Sequence, residues 1–175
     1  MKIIPSKKIE LTTGLSNQEV RKILRDNIRP KRGFKFGFNI PKDDKLFEGF
    51  FELDRFEIQR IIKGRNSFIP QIKGRIQTDI NGTKLIADLK IHGFVIVFMT
   101  FWLGFVFLAL IATIVGISTQ GTNPLALIVP LIMLAFGIGL VHYGFNSEKD
   151  KSINDLNRIL NARIKEKTFA NNTYK

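Results

Sequence analysis

The stretch that decides the fold runs from Gly93 to Ile117 and reads GFVIVFMTFWLGFVFLALIATIVGI. It belongs to a longer segment, His92 to Ser147, that contains no Asp, Glu, Lys or Arg. An uncharged apolar run of about 20 residues is long enough to cross the hydrocarbon layer of a bilayer. A second run, Leu125 to Phe145, follows the turn-forming sequence STQGTNP. The pattern predicts a transmembrane helical hairpin over residues 93–145, with spans at about 93–117 and 125–145.

Charge is confined to the two flanks of this hairpin. Met1 to Lys90 carries twenty basic and eleven acidic residues, Glu148 to Lys175 carries seven and four, and the whole chain has a net charge of +12. Basic flanks stay on the cytoplasmic side of a membrane, so we expect both termini to be cytoplasmic and the chain to lie in the cell (inner) membrane. The start, MKIIPSKKIELTT, turns polar too early for a cleaved signal peptide. The chain has no cysteine, which fits a reducing compartment and excludes thiolate metal sites.

The segment 1–92 has the pattern of a small α+β domain. A short strand precedes a helix that Ser16 caps, with Glu19 completing a capping box. One apolar stripe of this helix must pack on other elements; it comprises Val20, Ile23, Leu24 and Ile28. Beyond Gly33 the apolar period changes to two, which predicts strands. The predicted strands are Phe34–Ile40, Phe47–Leu53, Phe56–Ile62, Ile69–Thr78 and Lys84–Ile91.

The residues between the last two predicted strands favour a tight turn, which predicts that these strands pair in an antiparallel sheet. Asn81-Gly82 favours a type I′ hairpin turn, in which both residues have positive φ. After the hairpin, residues 146–175 predict a separate amphipathic helix, with Ser152 as its cap and Asp155 as the capping-box partner. This helix would dock on the sheet or lie along the membrane surface. The predicted fold class is an α+β membrane protein with a small antiparallel sheet, one helix on it, the transmembrane hairpin and this C-terminal helix.

The segment GRNSFIPQIKGRI, residues Gly64 to Ile76, has the composition of a binding loop. Turn chemistry explains Gly64 and Asn66, a strand edge explains Pro70, and a bulge or a close backbone approach explains Gly74. We therefore interpret the segment as scaffold. The alternative is an anion-binding loop that uses Arg65, Asn66 and Arg75.

A second basic stretch, RPKRGFKFGF, alternates phenylalanines with cations. Phenylalanines two residues apart share one face of a strand, which favours core packing with solvated lysines on the other face. As a functional site, anionic lipid headgroups are expected in preference to nucleic acid, because the domain is tethered to a bilayer. The candidate anion or headgroup residues are Lys31, Arg32, Lys35, Arg65, Asn66, Arg75, Lys84 and Lys90.

The two histidines, His92 and His142, flank the hairpin on its cytoplasmic side. A pair of imidazoles could bind a metal or haem, but no third ligand accompanies them in the spans. Anchoring of the helix ends at the headgroup level explains them better. We predict no metal and no cofactor.

The order of Arg65 to Pro70, RNSFIP, followed by Phe98, Phe101 and Trp102 in the first span, resembles a group of small uncharacterised bacterial two-span membrane proteins. In that group a basic strand-rich region with an Arg-Asn-Ser-Phe-x-Pro stretch runs into a first span containing Phe and Trp. The resemblance covers about the middle third of the chain. It implies the two-span architecture and carries no activity.

No spacing groups Ser16, Ser67 or the scattered carboxylates into a catalytic dyad, triad or metal set. The expected function is therefore a non-enzymatic, membrane-anchored binding or accessory-subunit module. Its expected partners are anionic lipid and either another protein or a second copy. The alternative is an enzyme acting on a lipid or another membrane-associated substrate.

Overall fold

The computed structural model describes residues 4–31, 44–62 and 64–165, with the backbone alone at 165. Two of its three α-helices are long and apolar, and a short 3-10 turn, Pro124–Leu127, joins them. The helices are α1 (Asn17–Asn27), α2 (Gly93–Gln120) and α3 (Ile128–Leu160). The strands are β1 (Ser6–Thr13), β2 (Ile28–Pro30), β3 (Phe47–Glu52), β4 (Arg55–Arg60), β5 (Gln71–Asp79), β6 (Gly82–Lys90) and β7 (Arg163–Lys165). The predicted α+β class is confirmed, while the predicted strand Phe34–Ile40 lies outside the described residues.

The strands form one seven-stranded sheet in the order β2-β3-β4-β5-β6-β1-β7. Every neighbouring pair is antiparallel except β2 and β3, which are parallel. β1 pairs with β6 along its whole length, from Ser6 opposite Lys90 to Thr13 opposite Thr83. The first strand therefore lies beside the strand that leads directly into α2.

The core lies on one face of the sheet, under α1 and the C-terminal half of α3. Alternating strand residues such as Ile72 and Leu89 are fully buried there, as expected for a sheet with one covered face. The predicted capping box of α1 is confirmed: the Glu19 amide donates to Ser16 Oγ, and the Ser16 amide donates to Glu19 Oε2. From the predicted stripe, Val20 and Leu24 are completely buried.

The second apolar helix does not stop at Phe145, because α3 runs without interruption to Leu160. The prediction of a separate helix capped by Ser152 is wrong: Ser152 lies inside α3 and is completely buried. No Gly or Pro stands between Phe145 and Ser152 to end the helix. Of the two placements predicted for the amphipathic stripe, docking on the sheet is the one found. Ile153, Leu156 and Leu160 belong to the same core cluster as the strands.

The β5–β6 turn also differs from the prediction. Asp79 pairs with Gly82, so the two loop residues are Ile80 and Asn81 rather than Asn81 and Gly82. Among the described non-glycine residues only Leu53 and Asn161 have positive φ, so Asn81 does not adopt a type I′ conformation. Gly82, with φ of +132°, lies close to the neighbouring strand: a Cβ there would be 2.3 Å from the Thr13 carbonyl oxygen.

α2 and α3 pack against each other near Gly137, where a Cβ would lie 3.1 Å from Leu103 Cδ2. Most of their remaining surface is uncovered. In the most apolar 18-residue window of each helix, 6% of the α2 residues and 17% of those in the α3 segment are buried. Both helices are long and apolar enough to cross a membrane.

Candidate functional site

Three of the predicted site residues, Arg65, Asn66 and Lys90, lie at the end of the sheet nearest the apolar helices. We call it the proximal end, and it comprises the end of β4 at Arg60, the start of β5 at Gln71 and the end of β6 at Lys90. α2 begins only three residues after Lys90. The described part of the connection from β4 to β5, residues 61, 62 and 64–70, also lies here, and we call it the proximal loop.

The proximal loop packs directly on α3. Asn66 Nδ2 donates to the carbonyl oxygen of Gly144 at 2.8 Å, and Asn66 Oδ1 accepts from the Phe68 amide at 2.9 Å. A Cβ at Gly144 would lie 2.9 Å from both Cβ and Cδ2 of Phe68, so glycine at this position permits the close approach. Asn66 begins a turn, as predicted, because its carbonyl oxygen accepts from the Ile69 amide, and its φ is negative. Its two side-chain hydrogen bonds support the scaffold interpretation of the segment.

Gly74 and Pro70 also have structural explanations in this region. A Cβ at Gly74 would lie 2.3 Å from the Phe56 ring, which fits the predicted close approach, although the neighbour is a side chain rather than backbone. Pro70 is buried and immediately precedes β5, as the strand-edge interpretation requires.

The predicted headgroup residues that the structure describes lie at different distances from the apolar helices. Arg65 and Lys90 are exposed at the proximal end, and Lys31 is exposed just after β2. Arg75 lies in the middle of β5, opposite Arg55. Lys84 lies near the start of β6, at the other end of the sheet. Arg32 and Lys35 are outside the described residues.

Lys84 is also engaged in the fold. Its Nζ is 2.9 Å from an oxygen of Glu10 on β1, whose side chain is 7% exposed. A cation that compensates a buried carboxylate is not available to a headgroup without cost. Lys84 is therefore a structural residue at the other end of the sheet, and the predicted residues at the proximal end are Arg65, Asn66 and Lys90.

A charge cluster that the sequence analysis did not identify joins the sheet to α3. Arg60 Nε lies 2.6 Å from Asp155 Oδ2, and Arg60 Nη1 lies 2.9 Å from Glu148 Oε2. The hydrogen bond that Arg60 donates to Asp155 is the main reason why the pKa of Arg60 is raised above its ordinary value. Each carboxylate has a second cation on α3, with Lys151 at 2.9 Å from Glu148 and Arg158 at 3.1 Å from Asp155. These contacts position α3 on the sheet.

A polar cavity of about 190 Å³ lies beside this cluster, between the sheet and the proximal loop. Arg29 of β2 and Glu48 of β3 form an ion pair at 3.1 Å in its wall, and Gln59 Nε2 donates to the other Glu48 oxygen at 2.7 Å. Arg29 Nε is buried, and no described residue accepts a hydrogen bond from it. Arg60 also lines the cavity, together with five residues of the proximal loop: Ile61, Ile62, Gly64, Asn66 and Ile69.

Sequence reasoning missed Arg29 and Arg60 for different reasons. Arg60 falls on the apolar face of its strand, which also carries Phe56, Ile58 and Ile62. A cation on a buried face requires a partner, so the sequence alone could have indicated an ion pair at Arg60. The pairing of Arg29 with Glu48 depends on the parallel alignment of β2 and β3. No local pattern in the sequence indicates that alignment.

His92 and His142 have different environments: one caps α2 and the other is buried in α3. His92 Nδ1 accepts from the Phe94 amide at 3.1 Å and so caps α2, which the sequence analysis did not anticipate. His142 Nε2 is buried in α3 and has no hydrogen-bond partner within the described part of the chain. Among the described residues no three His, Cys, Asp or Glu side chains are grouped as metal ligands.

In comparisons with known proteins, no family model, no curated protein and no solved structure matches this chain.

Proposed function

We propose that the chain is a non-enzymatic, membrane-anchored binding or accessory-subunit module. Its α+β domain rests on the anionic cytoplasmic leaflet of the cell (inner) membrane, with both termini cytoplasmic. The observation that carries the proposal is the exposed apolar surface of α2 and α3, directly attached to a basic domain.

The exposure of these helices favours membrane insertion over a soluble core. α2 has 28 residues and is about 42 Å long, more than the hydrocarbon layer requires. Large side chains project from it without cover, including Phe94 at 74% and Phe105 at 69% exposure. Soluble proteins rarely expose contiguous apolar surface of this extent, so lipid is the natural environment of the helices.

The distribution of charge supports the orientation. The turn between α2 and α3 carries no charged residue, whereas both outer flanks are basic. The positive-inside rule then favours cytoplasmic termini. Because α3 continues from the hairpin into the domain core, the proximal end of the sheet faces the same leaflet as these flanks.

Only proximal cations are close enough to interact with headgroups. α3 rises about 1.5 Å per residue, which places Leu160 about 22 Å beyond Phe145. The Leu160 carbonyl accepts from Thr13 Oγ1, and Thr13 is paired with Thr83, so the neighbouring Lys84 lies at that distant level. The Debye length is about 8 Å at physiological ionic strength. We therefore assign leaflet attraction chiefly to the exposed Arg65 and Lys90.

Reporter fusions test the topology. A periplasm-active reporter inserted at Gly121 should be active, and the same reporter after Lys175 should be inactive. Activity from the C-terminal fusion would contradict the orientation.

Lipid selectivity tests the leaflet association, and it requires the full chain because Leu156 and Leu160 of α3 are part of the domain core. We expect protein in uncharged detergent to retain anionic lipid over zwitterionic lipid, with salt reducing the preference. Lys90→Glu should weaken the preference at least fivefold, since each cation near an anionic leaflet contributes about 1 kcal/mol. Arg75→Glu is the matched control, with the same charge change far from the hairpin. Equal effects of the two substitutions, or a preference insensitive to salt, would contradict the mechanism.

A further inference from the structure

We infer that the polar cavity between Arg29 and the proximal loop binds the phosphate group of a phospholipid headgroup. This inference rests on the proposed membrane location. The inference goes beyond the proposed function because it assigns a specific binding site for the phosphate group. The proposed function requires only attraction between surface charges.

The first observation is that the Arg29 guanidinium is held in place by an ion pair, while one of its N–H donors has no acceptor among the described residues. Glu48 fixes Arg29 through an ion pair at 3.1 Å, and Gln59 fixes Glu48 from the adjacent strand. The Arg29 side chain is only 13% exposed, and its buried Nε–H has no acceptor among the described residues. A buried donor without an acceptor is costly, so an acceptor from outside the protein fits this position.

The second observation is the depth of the cavity. Asn66 lines it and also donates to Gly144 of α3, where the apolar helix passes into the domain. In a membrane-inserted chain this is the level of the headgroups. Every phospholipid places a phosphodiester at that level, and a phosphate oxygen is a strong acceptor for the N–H of a guanidinium, here the Nε–H of Arg29.

The third observation separates this site from general electrostatic attraction. The charge of Arg29 is offset by Glu48, and that of Arg60 is offset by two carboxylates. The cavity wall therefore presents hydrogen-bond donors without a large net charge. Binding here should depend on the phosphate group itself and only weakly on the net charge of the lipid or on salt.

Lipid retention by the full chain, followed by native mass spectrometry from uncharged detergent, tests the site. The probe is a zwitterionic phosphatidylcholine, so that leaflet charge plays no part. We expect one tightly retained molecule, still bound when the protein has been washed at high salt. An anionic fatty acid, which has charge but no phosphate, should not displace it.

Three variants identify the residues responsible. Arg29→Lys keeps the positive charge beside Glu48 but removes the Nε–H donor, and it should weaken retention about tenfold or more. Gly64→Leu should also weaken retention, because it adds a side chain in open space at the cavity wall and leaves Arg29 unchanged. Arg55→Lys, at an exposed position on β4, is the matched control and should bind as the wild type does. Circular dichroism of each variant shows whether the fold is retained.

The outcomes are distinct. If Arg29→Lys and Gly64→Leu, both folded, retain phosphatidylcholine as well as the wild type, the inference is overturned, and an ordered water suffices for Nε. If inorganic phosphate displaces the lipid at equal concentration, the phosphate chemistry is supported and the lipid source is overturned. A salt-sensitive preference for anionic lipid without any effect of Arg29→Lys overturns the cavity site alone. A normal Arg29 effect with no difference between Lys90→Glu and Arg75→Glu overturns only the proposed leaflet association.

Discussion

Replacing Gly144 with alanine tests whether the proximal loop is anchored to α3. Alanine is favoured over glycine inside a helix by about 1 kcal/mol, so the helix itself should gain stability. The new Cβ, however, would lie 2.9 Å from Phe68 Cβ and 3.1 Å from Asn66 Oδ1. Phe68 Cβ is bonded to the backbone of the loop, so it cannot move away unless the loop shifts. Such overpacking typically costs about 1–3 kcal/mol. A shift that breaks the bond from Asn66 to the Gly144 carbonyl would cost about 1 kcal/mol more.

Gly139→Ala is the matched control, because Gly139 lies in the same helix and has nothing within 4 Å of a built Cβ. It should raise the free energy of unfolding by up to about 1 kcal/mol. Gly144→Ala should fall below Gly139→Ala by about 1–3 kcal/mol. Denaturant unfolding in mixed micelles, followed by circular dichroism, measures the difference. If Gly144→Ala stabilises the protein as much as Gly139→Ala does, the described packing of the loop on α3 is wrong.

Three further substitutions test local interactions through the free energy of unfolding. Ser16→Ala should cost about 1 kcal/mol by removing the cap of α1. Glu19 accepts hydrogen bonds from the backbone N–H and from the hydroxyl of Ser16, and both lower the pKa of Glu19. Ser16→Ala removes only the bond from the hydroxyl. Its contribution is present above the ordinary pKa of Glu19 and is lost as the pH falls through the lowered pKa, so the difference between wild type and Ser16→Ala should shrink in acid. Arg60→Met should cost about 2 kcal/mol, less than for a typical buried pair, because both of its carboxylate partners keep a second cation; no loss would mean that the cluster does not hold α3. Lys84→Met should cost about 2 kcal/mol by leaving the buried Glu10 without this partner, less than for a fully buried pair because the Lys84 side chain is 29% exposed, and a neutral result would return Lys84 to the surface residues.

The elements that sequence predicted correctly are those specified by local patterns. The capping box of α1 lies within four residues, and the alternation around Phe56 and Ile58 marks a strand without reference to any other part of the chain. The continuity of α3 was missed because Ser152 followed by Asp155 has the same pattern as a helix start. A buried helix interior can contain the same two residues, and the burial of Ser152 depends on the sheet beneath it.

The candidate site was harder to predict because its residues meet through register. Lys84 was expected at the membrane, yet its partner Glu10 lies on a strand far away in sequence, and only the pairing of β1 with β6 brings them together. The cavity needs Arg29, Glu48 and Gln59 from three adjacent strands. By contrast, the turn residue Asn66 was recognised from its local sequence, and only its contact with Gly144 required the tertiary structure.

In the proposed membrane location, the uninterrupted α3 would hold the proximal end of the sheet at a defined depth. A flexible linker between hairpin and domain would let the sheet rotate, and different cations would then face the leaflet at different times. Here rotation would have to break the Asn66–Gly144 hydrogen bond and the Arg60–Glu148 ion pair, and expose Leu156. These contacts lie at different heights along α3, so they fix both the tilt of the domain relative to α3 and its rotation about the α3 axis. The distance of Arg65, Lys90 and the polar cavity from the apolar hairpin is therefore fixed by the fold.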